Sequence, residues 1–223
     1  MRICKILNQT QNLNEKNILI GISLGNRYFT LENILCYLEW ALAYTCGRIL
    51  ILIPDRLHAL NYHYRNGYST ARALNVALRK GTDLNSSIYK IINKFPSKNL
   101  KRITVIRWDE ALDKKLLEKI KAVNRYYVHN STFHSIIDSI VNENQPPIDG
   151  VTTNQAAQYI LNELPILICG LSYNSTNYNL LPYPGMSSLD YLANAIQSGK
   201  KFPELTHQLN PNGQMTIMEA YVN

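Results

Sequence analysis

One serine of this chain has neighbours that are typical of a nucleophile. Gly21, Ser23 and Gly25 form a G-x-S-x-G pattern at the end of an apolar run. In a nucleophile elbow, glycines at these positions let a serine occupy a sharp strand-to-helix turn with its hydroxyl exposed. The same three residues also suit an ordinary turn. The pattern therefore makes Ser23 a candidate acyl acceptor and leaves both interpretations open.

A tyrosine and a glutamate form a second candidate group. Tyr159 and Glu163 are four residues apart in a stretch with helical character, which places both on one helix face. Pro165 predicts that this helix ends there and that a strand follows. A carboxylate and a phenol at such a helix end can hold a cationic amine, and a surface pair is the alternative.

The elements that must position these side chains alternate between strands and helices. Four apolar runs predict buried strands, at 17–22, 48–53, 102–107 and 165–169. Helical periodicity predicts six helices, at 31–42, 69–80, 84–95, 109–124, 132–143 and 152–163. The first of them follows Thr30, a plausible N-cap. Gly81 is expected to end the second of these helices, and Pro96 the third.

This alternation predicts the fold class. Parallel strands need crossover helices, so we expect an α/β fold with a doubly wound, mostly parallel sheet that is covered on both faces. No low-complexity stretch divides the chain, which predicts a single domain over residues 1–223. Ser23 and Asp55 then both follow strands at the carboxyl edge of the sheet, where such folds bind ligands.

Positive charge is concentrated in the middle of the chain. Residues 48–125 contain 17 Lys and Arg against 6 Asp and Glu, and the whole chain has a net charge of +7. A local excess of this kind favours a polyanionic partner, with nucleic acid first and an anionic membrane surface second. A solvated basic face is the remaining alternative.

Other classes of protein receive no support from the sequence. The N-terminal residues 1–16 lack the apolar region of a signal peptide, and the longest apolar runs are too short to span a bilayer, so we expect a cytoplasmic protein without a membrane partner. No Walker loop indicates ATP binding. The four cysteines show no metal-ligand spacing, so we expect reduced core thiols, no metal and no cofactor.

Taken together, the motifs resemble those of the tRNA-dependent cyclodipeptide synthases. Residues 18–23, an apolar strand followed by Gly, an aliphatic residue and Ser, look like the serine motif of that family. Residues 159–165 are similar to its second motif, in which Tyr and Glu lie four apart and Pro follows. Tyr183 stands where the family has a further catalytic tyrosine. Weaker similarities lie at Pro54-Asp55, His58, Asn61-Tyr62 and Gly67-Tyr68, which precede the basic helix.

The chain departs from the family pattern at two places. Asn17 stands where the family's first motif commonly begins with His. Asn26 is the residue of one subfamily, whereas the Tyr183-Pro184 pair looks like the other. Because that second subfamily leaves the position of Asn26 free, the resemblance assigns the chain to the Tyr-Pro subfamily and leaves a catalytic role of Asn26 open.

The resemblance implies both a fold and a reaction. The fold would resemble the Rossmann-like catalytic domain of class I aminoacyl-tRNA synthetases. The reaction would join the aminoacyl groups of two aminoacyl-tRNAs into a cyclic dipeptide by a ping-pong course through an aminoacyl-enzyme and a dipeptidyl-enzyme on Ser23. The second aminoacyl-tRNA would supply the amine that attacks the aminoacyl-enzyme. Aminoacyl-tRNA is an activated ester, so the reaction would need no ATP.

The resemblance also assigns roles to residues. Glu163 and Tyr159 would bind the first α-amino group, and Tyr183 would relay protons. Residues near Ser23 are candidates for substrate binding and equally for the core: Leu19, Gly21, Asn26, Ile51, Ile53, Ile166 and Leu167. The acceptor stems of the tRNAs would meet a basic face formed by Arg72, Arg79, Lys80, Lys90, Lys94, Lys98, Lys101 and Arg102.

Two alternatives from other classes remain. An α/β-hydrolase-like serine esterase would account for Ser23, but it needs a late base histidine, for which His207 is the only candidate, and an oxyanion loop after an earlier strand. A non-catalytic RNA-binding Rossmann module would account for the charge and would leave Ser23, Tyr159 and Glu163 without a function.

Overall fold

The computed structural model describes residues 1–7, 12–144, 148, 150–210 and 214–222. Its strands are β1 (Arg2–Leu7), β2 (Ile18–Gly21), β3 (Ile49–Ile53), β4 (Ile103–Arg107), β5 (Leu171–Tyr173), β6 (Thr176–Tyr178), β7 (Leu180–Tyr183) and β8 (Thr216–Tyr221). Its helices are α1 (Leu31–Tyr44), α2 (Asp55–Tyr64), α3 (Thr70–Ile92), α4 (Ser97–Leu100), α5 (Trp108–Ala111), α6 (Lys114–His129), α7 (Ser131–Asn144), α8 (Thr153–Cys169), α9 (Ser188–Gln197) and α10 (Pro203–Leu209).

Six of these strands form one sheet in the order β1-β8-β7-β2-β3-β4. From β8 to β4 the neighbouring strands are parallel, and only β1 pairs antiparallel, with β8. β5 and β6 form a separate hairpin. The predicted mostly parallel α/β sheet is therefore confirmed.

Side chains that alternate along the strands divide the core into two layers. In β3, Ile49, Ile51 and Ile53 pack with α1 and α3 on one face of the sheet. Leu50 and Leu52 point to the other face, into a larger cluster with α6, α7, α8 and α9. This period of two is what a pleated strand imposes, and it buries both faces as a parallel sheet requires.

Helix α8 differs most from the prediction. It continues through Pro165 to Cys169, so the strand expected at 165–169 is wrong. A short apolar run does not distinguish a strand from a buried helix, and residues 164–168 are buried throughout. Proline removes one helical hydrogen bond, at a cost of about 3 kcal/mol, which burial of four large aliphatic side chains at about 1.5–3 kcal/mol each can offset. Tyr159 and Glu163 therefore lie in the middle of a helix and not at its end.

The two helices expected around Gly81 are one continuous helix, α3. Gly81 is buried, and a Cβ on it would lie 2.5 Å from Oδ2 of Asp55. That carboxylate accepts a hydrogen bond of 2.5 Å from Nε of Arg107. Gly81 is present because α3 passes so close to this buried ion pair, and not because the helix ends there.

We expect Gly81→Ala to destabilise the protein. Alanine favours a helix over glycine by about 1 kcal/mol, but the added methyl group must displace the Asp55 side chain, and overpacking of this kind typically costs about 1–3 kcal/mol. Urea unfolding should therefore show a lower midpoint than the wild type. Asn75→Ala, at an exposed position of the same helix, is the matched control and should not lower it. A stabilised Gly81→Ala variant would contradict the close approach.

Smaller corrections concern other elements. The helix expected at 109–124 is divided into α5 and α6, because the Asp113 side chain accepts a 2.7 Å bond from the Leu116 N–H and begins a new helix. The strands β1, β7 and β8 were not predicted, and β7 contains Pro182, which pairs with Met218. Cys4 and Cys46 are exposed, so the expectation of core thiols is wrong for these two. No helix of the described residues is long and apolar enough to cross a membrane.

Candidate active site

Ser23 lies on a tight turn at the carboxyl end of β2. The Ile22 N–H still donates to the Leu52 carbonyl of β3 at 3.0 Å, and the Asn26 N–H donates to the Ser23 carbonyl at 3.1 Å. Gly25 has a φ of 91°, a conformation that side chains disfavour. The G-x-S-x-G segment thus makes a strand-to-turn junction that presents the Ser23 hydroxyl beside the neighbouring strands.

Tyr183 ends β7, next to β2 in the sheet, and its hydroxyl is close enough to the side chains of Ser23 and Asn26 for both to favour its ionised form. Its ring also packs on Phe29, with 5.6 Å between ring centroids. Burial, followed by the nearby Glu163 carboxyl, raises the pKa of Tyr183 to about 12. At neutral pH the phenol therefore keeps its proton and can pass one along a hydrogen bond.

Tyr159 and Glu163 face the same region from α8. Burial raises the pKa of Glu163 to about 7, with a further contribution from the carboxyl of Asp190. Burial and the negative charge of Glu163 raise the pKa of Tyr159 well above its usual value. A carboxyl group that titrates near neutrality can hold an ammonium ion and can also accept a proton from it.

These four side chains line one cavity of about 310 Å³. Its apolar wall contains Leu19, Ile166, Leu167 and Leu181, and its polar wall includes Asn61, Arg65 and Asp190. A mostly apolar cavity with a few convergent polar groups is the usual form of a small-ligand site. The volume suits an amino-acid side chain with its amine and carbonyl.

The sequence predicted part of this lining correctly. Leu19, Gly21, Ile166 and Leu167 do line the cavity. Ile51 and Ile53 do not, because the pleat of β3 turns them to the opposite face and presents Leu52 instead. Asn26 is not among the lining residues, and its side chain lies near the Tyr183 hydroxyl instead.

Several cavity residues had no motif in the sequence. Asp190 stands at the first turn of α9, where its Oδ2 accepts 2.7 Å bonds from the N–H and the hydroxyl of Ser187. This capping box is the only pattern that could have drawn attention to it. Arg65 ends α2, and Trp108 begins α5. Their approach to the cavity depends on how those helices pack.

The expected basic face is largely exposed. Arg72 and Lys90 are separated by five helical turns and, with Arg79, lie along one side of α3. Lys94, Lys98 and Lys101 are exposed beyond its end. Lys80 donates a 2.9 Å bond to the Tyr62 hydroxyl. Arg102 differs from the others, because its guanidinium donates to the backbone carbonyls of Leu42, Thr45 and Gly47 and thus joins β4 to the end of α1.

His58 is a buried histidine beneath the serine turn. Its Nε2 is 3.6 Å from the position that a Cβ of Gly25 would occupy. Its ring packs edge-on against Tyr62 and Tyr159, at 5.2 and 6.0 Å between centroids. Burial and the cations Lys80 and Arg65 lower the pKa of His58 to about 4, so it is neutral at physiological pH. Its Nδ1 has no hydrogen-bond partner among the described residues.

Comparison with known proteins agrees with this architecture. The chain is similar to a cyclodipeptide synthase from Bacillus thermoamylovorans, with a TM-score of 0.70 and 18% identity over 94% of this chain and 90% of the other. It is similar to a cyclodipeptide synthase from Candidatus Glomeribacter gigasporarum bound to Phe-tRNAPhe, with a TM-score of 0.62 and 15% identity over 93% and 88%. A tyrosyl-tRNA synthetase from Archaeoglobus fulgidus aligns with a TM-score of 0.53 and 12% identity over 95% and 56%. No curated protein sequence matches significantly.

The fold is thus the Rossmann-like α/β fold that class I aminoacyl-tRNA synthetases share, with a serine at the carboxyl edge of its sheet. The cyclodipeptide synthase family model matches residues 9–184, and the chain belongs to this family of aminoacyl-tRNA-using transferases.

Proposed function

We propose that this enzyme joins the aminoacyl groups of two aminoacyl-tRNAs into a cyclic dipeptide through covalent intermediates on Ser23. The observation that carries the proposal is the convergence of Ser23, Tyr183, Tyr159 and Glu163 on one cavity. We also assign the chain to the Tyr-Pro subfamily, on the Tyr183-Pro184 pair.

In the first step the Ser23 hydroxyl oxygen attacks the ester carbonyl of one aminoacyl-tRNA. The Ser23 proton is relayed through the nearby Tyr183 hydroxyl and reaches the departing ribose oxygen as the ester bond breaks. The N–H groups of Leu24 and Gly25 in the turn are candidates to stabilise the tetrahedral oxyanion, since the Asn26 N–H already binds the Ser23 carbonyl. The α-ammonium of the bound residue lies against Glu163 and Tyr159.

The bonds that must form and break require a second step different from the one expected from the sequence. If the second substrate's amine attacked the Ser23 ester, the serine would be released and the dipeptide would be left on the tRNA. For a dipeptidyl-enzyme to form, the amine of the serine-bound residue must attack the second ester, whose bond to the ribose oxygen breaks as that oxygen takes up a proton and the uncharged tRNA leaves. Glu163, with a pKa of about 7, is suited to take the proton that this amine must lose.

Ring closure then releases the serine. The free amine of the second residue attacks the Ser23 ester carbonyl, the bond between that carbonyl and Oγ breaks, and Tyr183 returns a proton to Oγ. The products are a cyclic dipeptide, two uncharged tRNAs and the original enzyme. Each new amide bond replaces an ester bond, so the proposed reaction needs no ATP.

The environment of His58 argues against the esterase alternative. It is the histidine beneath the serine turn, but with no partner on Nδ1 among the described residues it lacks the carboxylate that orients a catalytic histidine. His207 lies on α10, which packs against α6 and α9 and contributes no residue to the cavity lining.

The proposed function is tested by expression in bacteria and mass spectrometry of the medium. Cyclic dipeptides should accumulate with the wild-type protein and be absent with Ser23→Ala, and their masses identify the two amino acids. Purified protein should make the same products from charged tRNA without ATP. Hydrolysis of simple esters without any cyclic dipeptide would favour the esterase instead.

The Asp190 carboxyl should raise the pH below which Glu163 no longer binds the substrate amine. Below pH 7 the wild-type Glu163 becomes protonated and loses its attraction for the ammonium, so kcat/KM should fall as the pH is lowered through about 7. Asp190→Asn removes one cause of the raised pKa and should shift this acid limb to lower pH. Asparagine can still accept the Ser187 bonds. Glu204→Gln, on α10, is the control and should leave the profile unchanged. An unshifted limb in Asp190→Asn would contradict the coupling.

A further inference from the structure

A run of aromatic rings and cations extends from the surface of α3 to the serine turn. The Arg72 guanidinium lies 4.2 Å from the centroid of the Tyr68 ring. Tyr68 in turn stacks on Tyr62, with 6.1 Å between centroids and 16° between ring planes. Lys80 lies 4.9 Å above the Tyr62 ring. We call Arg72, Tyr68, Tyr62 and Lys80 the ladder.

The inner end of the ladder reaches the active site directly. The Tyr62 hydroxyl lies 3.8 Å from the position of a Gly25 Cβ, two residues after the candidate nucleophile. Through His58 the aromatic contacts continue to Tyr159, which lines the cavity. The ladder therefore ends beside the turn that carries Ser23.

The cations along this route are available to an anion. Within the described part of the chain, the ion pairs involve Arg56, Arg107 and His134, and none involves Arg65, Arg72 or Lys80. Arg72 is exposed and Tyr68 is partly exposed at the outer end of the ladder, and Lys80 is exposed beside Tyr62 at its inner end. Arg65 lines the cavity itself. The ladder therefore combines positive charges with aromatic rings. Arg79 and Lys90, which form a stripe along one side of α3, offer charge alone.

We propose that the ladder binds the unpaired 3′ end of the tRNA, and that the stripe of Arg79 and Lys90 meets the duplex. Single-stranded nucleic acid is typically held by aromatic rings and arginine planes that stack with bases, beside cations that meet the phosphates. The bases inside a duplex are stacked on one another and are not free to stack on a protein ring, so the length of a duplex is bound through its phosphates. The inference rests on the proposed function, and it identifies which part of the substrate each surface recognises.

The test compares two RNA hairpins with the same stem, one blunt and one with a four-nucleotide 3′ overhang. Wild-type protein should bind the overhang hairpin more tightly in fluorescence anisotropy. Tyr68→Ala should weaken that binding at least about fivefold, the low end of the range for losing one stacked base, and should leave the blunt hairpin unchanged. Tyr68→Phe keeps the ring and should bind both hairpins as the wild type does.

Three controls separate the possible causes. Arg72→Lys keeps the charge but loses the planar stacking group, so it should weaken binding of the overhang hairpin selectively. Arg79→Ala should weaken both hairpins by the same factor and flatten the salt dependence of both. Tyr89→Ala, an exposed tyrosine elsewhere on α3, should change neither. Circular dichroism of each variant checks that the fold is intact.

The outcomes distinguish the inference from the function on which it rests. If Tyr68→Ala weakened both hairpins equally or neither, the ladder would not read the single-stranded end, while synthesis of cyclic dipeptides by the wild type would leave the proposed function standing. If the wild type bound neither hairpin and made no cyclic dipeptide from charged tRNA, both would be overturned.

Discussion

Ser23→Ala should abolish formation of cyclic dipeptides and leave the fold intact. Alanine fits the turn that Gly25 allows, and the lost hydroxyl is the group that accepts the aminoacyl chain in the proposed mechanism. Removal of a covalent nucleophile typically lowers kcat by a factor on the order of a thousand or more. The measurement is product formation from charged tRNA by mass spectrometry, and thermal unfolding checks stability.

The covalent step can be observed separately. With a single aminoacyl-tRNA, intact-protein mass spectrometry should show the wild type carrying one aminoacyl group, with the modification on the peptide that contains Ser23. Ser23→Ala should show no adduct while it binds RNA as the wild type does. Ser86→Ala, an exposed serine on α3, is the matched control and should behave as the wild type. Near-normal turnover by Ser23→Ala would contradict the covalent mechanism.

Glu163→Ala should be nearly inactive, and Glu163→Gln should be impaired less severely. The alanine variant loses both the charge and the hydrogen bond that hold the substrate ammonium, whereas glutamine keeps an oxygen acceptor. Both variants should lose the pH dependence that Glu163 confers near neutrality. Steady-state kinetics with charged tRNA measure the effect. Wild-type rates in both variants would mean that Glu163 has only a structural role.

The same residue should limit the stability of the enzyme. The folded-state pKa of Glu163 is raised to about 7, from an ordinary value of 4.5, so the folded protein resists ionisation of this carboxyl more than the unfolded chain does. Stability from this group is therefore lost as the pH rises from 4.5 to 7. Glu163→Gln should melt at a higher temperature than the wild type at pH 8, and the difference should vanish near pH 4. An equal melting temperature at pH 8 would contradict the burial of this charge.

The sequence by itself determined the alternation of strands and helices at the centre of the fold. The runs that became β2 and β3 are buried on both faces, so their apolar character is continuous and clear. Thr30 was correctly predicted as the N-cap of α1, and its side chain accepts a 3.2 Å bond from the Asn33 N–H. The serine turn was also predictable, since Gly25 occupies a conformation that other residues disfavour. Apolar runs, helix caps and turns depend mainly on residues that are close together in the chain.

What the sequence could not determine depends on contacts between distant segments. Pro165 and Gly81 read locally as helix ends, but burial of α8 and the close approach of Asp55 to α3 keep both helices continuous. β7 contains Pro182, which argues against a strand, yet it lies between β8 and β2 and carries Tyr183 to Ser23.

The side-chain environment of the site likewise belongs to the tertiary structure. Ile51 and Leu52 are adjacent in the chain, but the pleat of β3 places one in the opposite layer and the other in the cavity wall. Asp190 is 27 residues from Glu163 in the chain, and only the packing of α9 against α8 brings their carboxyls close enough to raise the pKa of Glu163. Residue types indicated which groups could react, and packing decided which of them meet, because charge interactions and burial depend on distance in space.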